Sequence, residues 1–131
     1  MRLVLACGCF DLFHVGHLAH LKEARSFGDR LIVALTLDEF ISKPGRPIMK
    51  WEDRAAILNE LRCVDDVIAS RNSVEAILAW EPDIYVKGSD YVSKGLLPAE
   101  KEACKGLGVQ IRFTKEHPPT TSSLIKRIKE G

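Results

Sequence analysis

The chain has 131 residues, 46% hydrophobic and 28% charged, with a formal net charge of +1. That length suits one domain with a real core, taken as a single unit over 1–131. The balanced, interspersed charge gives no general case for binding nucleic acid or an anionic membrane, so any anion site must be local. No apolar run approaches the roughly 20 residues that span a bilayer.

The start, "MRLVLACGCFD", reaches Asp11 too soon for a signal peptide and reads as a first strand. Within it, "LVLAC" (3–7) is a continuous apolar run, the pattern of a strand buried on both faces. Residues 15–27 carry Val15, Leu18, Leu21 and Ala24 at helical spacing, and Gly28 suits the end. "RLIVALT" (30–36) is a second buried strand, followed by a loop over 37–50 with Pro44, Gly45 and Pro47. A helix is expected over 51–62, a strand over 64–70, and a helix over 73–80 that Ser73 can cap. "DIYVKG" (83–88) reads as a strand, 98–107 as a helix opened by Pro98, and "VQIRF" (109–113) as a strand. Pro118 and Pro119 delay the last helix to "TSSLIKRIKE". Alternating strands and helices predict an α/β, Rossmann-like domain: a parallel five-stranded sheet with helices on both faces. In such folds ligands bind outside the carboxyl ends of the strands, where strand order reverses.

The most informative stretch is "GCFDLFHVGHLAHL" (8–21), where a strand has ended and a helix begins. Gly8 lets the chain turn with its backbone exposed, and the first amides of the next helix point into the same corner. His14 and His17 flank Gly16, which allows a phosphate or base to approach the backbone. The helix start favours neutral imidazoles, which act as hydrogen-bond donors rather than acids. A zinc site from Cys7, Cys9, His14 and His17 is the competing reading, but the two cysteines lack the usual C-x(2–4)-C loop. Cys63 and Cys104 complete a set without a disulfide framework, which points to reduced thiols and a cytoplasmic setting. Neither G-x-x-x-x-G-K-[ST] nor G-x-G-x-x-G occurs.

Other candidates follow strand ends. Arg54 points along the apolar side of its helix and needs a partner, either a triphosphate or a neighbouring carboxylate. Lys43 stands in a loop able to close over substrate, with Arg46 and Lys50 as weaker candidates. "KGSDY" (87–91) follows a strand, with Gly88 permitting close backbone approach. Thr120, Thr121, Ser122 and Ser123 lead into the last helix, where hydroxyls and free amides can cap the helix or bind phosphate.

"GCFDLFHVGH" resembles the first signature, H-x-G-H, of the cytidylyltransferase-like nucleotidyltransferases. "RPIMKWEDRAAIL", "CVDDVI", "DIYVKGSDY" and "TTSSLIKRI" resemble the later blocks in the same order, over nearly the whole chain. The nearest groups are the adenylyltransferase domains of the ADP-heptose synthases and the glycerol-3-phosphate cytidylyltransferases. The resemblance implies transfer of a nucleoside monophosphate from ATP (favoured) or CTP to a sugar or polyol phosphate, with release of pyrophosphate. It assigns catalytic roles to His14, His17 and Lys43. It assigns nucleotide contacts to Gly8, Cys9, Phe10, Gly16, Arg54, Lys87, Gly88, Asp90, Thr120, Thr121 and Ser122, and acceptor contacts to Asp11, Asp38 and Tyr91. It implies a homodimer, and magnesium carried with the nucleotide and not held by protein side chains. "KGSDY" is closer to the "KGGDY" of the heptose enzymes than to the "MGDDW" of the glycerol phosphate enzymes. Two departures stand out: Pro118 replaces a family glycine, and Lys115 stands where the cytidylyltransferases have arginine.

Overall fold

A computed structural model describes residues 1–89, 95–115 and 121–130. Five strands form one sheet: β1 (Leu3–Gly8), β2 (Arg30–Thr36), β3 (Asp66–Ser70), β4 (Ile84–Lys87) and β5 (Gln110–Phe113). Their order is β3-β2-β1-β4-β5 and every pairing is parallel. The helices are α1 (Val15–Ser26), α2 (Trp51–Asn59), α3 (Ser73–Trp80), α4 (Pro98–Leu107) and α5 (Thr121–Glu130). The expected α/β fold is therefore present.

Continuous apolar strands feed two cores because successive side chains point to opposite faces. Val4 and Ala6 of β1 join Leu31, Val33 and Leu35 of β2 against Leu21 and Ala24 of α1 and Leu58 of α2. Leu5, Ile32, Ala34 and Tyr85 face the other way, against Ala76 and Ile77 of α3 and Cys104 of α4. The order reverses at β1: the chain steps outward through β2 and β3, then returns to place β4 on the other flank. The crevice at the carboxyl ends of β1 and β4 is the position such sheets offer to ligands.

Several ends differ from the sequence reading. α3 is capped by Asn72, whose side chain accepts from the Glu75 amide at 2.8 Å, and not by Ser73. Gly28 is required for space: a β-carbon there would lie 2.6 Å from Val4 Cγ2 and 2.8 Å from the Arg2 carbonyl. The helix expected to reach 62 ends at Asn59, and β3 starts at Asp66. A short 3-10 turn, Asp38–Phe40, follows β2 within the expected loop. No helix among the described residues is long and apolar enough to cross a membrane.

Candidate active site

The turn from β1 into α1 is built under strain. Phe10 and Leu12 adopt φ of 46° and 52°, in the left-handed region that costs a residue with a Cβ about 1 kcal/mol or more. Phe10 is nonetheless buried, with its ring edge-on to His17 at 5.4 Å and stacked on His20 at 6.5 Å. Gly8 is tied to this ring, because a β-carbon there would lie 2.9 Å from Phe10 Cε2.

Three side chains fix the turn from below. Asp11 is 1% exposed and accepts from the Ile48 amide (2.8 Å), the Met49 amide (2.9 Å) and Arg46 Nε (2.7 Å). Burial alone would raise its pKa; the two amides and the Arg46 guanidinium outweigh burial and hold it below the usual carboxylate value. Arg54, with its side chain fully buried, donates to the Met49 carbonyl (2.9 Å), the Cys9 carbonyl (2.8 Å) and Asp38 Oδ1 (2.5 Å). Trp51 Nε1 donates to the Leu35 carbonyl at 2.9 Å and anchors the start of α2.

On this base the histidines meet. His14 is the N-cap of α1: its Nδ1 accepts from the Gly16 amide at 3.0 Å. Its own amide donates to His17 Nδ1 at 3.3 Å. The rings stack 3.8 Å apart with 22° between their planes. An Nδ1 that accepts a hydrogen bond leaves the single proton of a neutral imidazole on Nε2. Both histidines are therefore Nε2–H donors. Burial lowers the pKa of His14; burial first, then the charges of His14, His20 and Arg46, lowers that of His17 to about 3. The expected neutral imidazoles are present, with burial as the main cause. His14 Nε2 is buried without a hydrogen-bond partner among the described residues. A buried donor left unmet costs about 1–3 kcal/mol, and an incoming anion oxygen would recover that.

Some expected contacts have other work. Arg54 braces the turn through its buried guanidinium. Asp11 holds the 46–49 segment. Lys87 Nζ pairs with Glu100 Oε2 at 3.2 Å and lies 5.6 Å over the Tyr85 ring, while Tyr85 donates to the same oxygen at 2.5 Å. Glu100 also accepts from the Leu97 amide at 3.1 Å, so this carboxylate ties the end of β4 to the start of α4. Asp38 pairs with Arg54 but keeps a side chain 40% exposed. Lys43 is exposed, and Gly16 is buried in the first turn of α1. Gly88 directly follows β4, and the Cys9 carbonyl is the acceptor already described. Asp90, Tyr91, Thr120, Pro118 and Pro119 lie outside the described residues. Thr121 and Ser122 begin α5, with side chains outside the description. Lys115 is exposed, its amide bonded to Glu23 Oε1 at 2.9 Å.

The structure adds residues that the sequence reading passed over. His20 shares α1 with the other two imidazoles, and its Nδ1 lies 2.6 Å from Oγ1 of the buried Thr114. The spacing His14, His17, His20 was the available signal. Glu100 was hinted at by its place in the first turn after Pro98.

No group of three or more His, Cys, Asp or Glu among the described residues could hold a metal ion. Asp11, the carboxylate of the corner, has both oxygens occupied. Burial pushes the Cys7 thiol up to about 12, which keeps it protonated.

A strained turn, two neutral imidazoles and a helix start at the strand-order reversal suit a phosphate chain. A family model described as cytidylyltransferase-like matches residues 5–128. The chain belongs to this family. Among curated relatives, the bifunctional protein HldE of Koribacter versatilis is 42% identical over 130 residues, covering 95% of this chain and 27% of that protein. HldE of Helicobacter hepaticus is 40% identical over 135 residues, covering 99% of this chain and 27% of its own length. The chain thus spans little more than a quarter of these relatives. A lipopolysaccharide core biosynthesis protein from Thermoplasma volcanium superposes with a TM-score of 0.73 at 29% identity, covering 92% of this chain and 99% of that one. A pantoate-beta-alanine ligase from Francisella tularensis shares the fold at a TM-score of 0.63 and 15% identity, covering 92% of this chain and 61% of that one. As a cytidylyltransferase-like protein, the chain is a nucleotidyltransferase.

Proposed function

We propose that this nucleotidyltransferase moves an adenylyl group from ATP to a sugar phosphate such as heptose 1-phosphate. A phosphate oxygen of the acceptor attacks the α-phosphorus in line. The new P–O bond forms as the α–β bridge breaks, and pyrophosphate leaves. Such a reaction needs little covalent help; the protein positions the groups and stabilises spreading charge. The observation that carries the proposal is the unmet His14 Nε2–H beside His17, held neutral at the start of α1. These donors would grip triphosphate oxygens, with exposed Lys43 and the start of α5 assisting. Arg54 and Asp11 shape the corner without touching substrate. Magnesium would enter as part of the nucleotide substrate. Asp38 remains the acceptor-facing candidate, and the working assembly is a homodimer.

ATP is preferred because of the similarity to HldE proteins and the "KGSDY" block. The test is pyrophosphate release with magnesium, crossing ATP and CTP with a panel of sugar and polyol phosphates. Release with ATP and heptose 1-phosphate is expected. Release with CTP and glycerol 3-phosphate would keep the chemistry and overturn the substrates. Silence across the panel with nucleotide still bound would point to a non-catalytic nucleotide-binding module.

A further inference from the structure

A groove of about 720 Å³ opens beside His14, between the 12–14 turn, Met49, Ile57 of α2, and Leu124, Arg127 and Ile128 of α5. Its volume lies within the range that holds a small-molecule substrate. The walls are mainly apolar, and the polar side chains lining it are His14 and Arg127. No carboxylate lines it.

Arg127 differs from five of the eight other arginines. Arg25, Arg30, Arg46, Arg54 and Arg71 each face an Asp or Glu. Arg127 is exposed and has no carboxylate partner among the described residues. His14 also lines the groove, so the groove adjoins the corner proposed to hold the triphosphate. A guanidinium lining a mainly apolar space that has no carboxylate selects an anion, and the planar fork of arginine matches a phosphate. Arg127 lies six residues into α5, about 9 Å along the axis from the helix start. A triphosphate held at the starts of α1 and α5 would not reach it with the same group.

We propose that Arg127 binds the phosphate of the acceptor substrate and so helps select phosphomonoesters. This rests on the nucleotidyl transfer proposed above. The test compares the wild type with Arg127→Gln and Arg127→Lys by steady-state pyrophosphate release and by calorimetric titration with a sugar 1-phosphate. Arg127→Gln should raise the acceptor KM and weaken sugar phosphate binding about tenfold or more, the effect of losing a charge-assisted pair. The nucleotide KM and kcat should stay within about twofold, because a ground-state contact to the other substrate is all that is lost. Arg127→Lys should fall between. An unchanged acceptor KM, or a raised nucleotide KM in its place, would overturn the assignment. If the wild type releases no pyrophosphate, the proposed activity fails, and the titration still decides this point. Weaker sugar phosphate binding in Arg127→Gln supports the assignment; equal binding, or none by the wild type, refutes it.

Discussion

Arg54→Met separates a brace from a ligand contact. Methionine keeps similar length and flexibility but removes the three donated hydrogen bonds. The Cys9 and Met49 carbonyls lose a charged donor, at about 1–3 kcal/mol each when left buried. Asp38 is 40% exposed and can rehydrate, so its loss adds little. Relief from burying a guanidinium offsets part of the total. The net expectation is a loss of about 3 kcal/mol, or about 10 °C in the unfolding midpoint for a chain of 131 residues. Equilibrium unfolding in urea, followed by circular dichroism, should show a lower midpoint with an unchanged slope. An unchanged midpoint together with a raised nucleotide KM would refute the brace and return Arg54 to the triphosphate.

His17→Ala should lower turnover about a hundredfold or more, as when one preorganised donor to a developing charge is removed, and pyrophosphate release measures it. His17 also bears on pH. Its folded pKa is depressed to about 3 from 6.5, so the unfolded chain binds the proton more readily. Stability from this group is complete above about pH 6.5 and drains away as pH falls towards about 3. His17→Gln should flatten that part of a stability-against-pH curve; an identical slope would show that the native imidazole titrates normally. Asp11→Asn replaces an acceptor oxygen with a donor facing Arg46 or a backbone amide, and should cost about 3 kcal/mol or more in urea unfolding.

The sheet was readable because its strands are buried on both faces and appear as unbroken apolar runs bounded by helical spacing. The H-x-G-H corner was readable because its parts lie within ten residues. The partners of Arg54 were not. Its position on the apolar side of α2 required a partner, but the Cys9 carbonyl lies 45 residues away and Asp38 lies 16. The same distance hid the pairing of Asp11 with Arg46, 35 residues on. The same holds for Lys87, whose pairing with Glu100 of α4 could not be read from the strand that carries it. Local chemistry shows that a charged side chain needs a counterpart, and only the packing of distant segments decides which.

The most direct measurement is nitrogen-15 NMR of the histidine rings at pH 7, with and without magnesium and ATP. Both His14 and His17 should appear as neutral imidazoles with the proton on Nε2, and nucleotide should perturb Nε2 of each. An imidazolium at either position, a proton on Nδ1, or rings indifferent to the nucleotide would contradict the account of this corner as a phosphate grip.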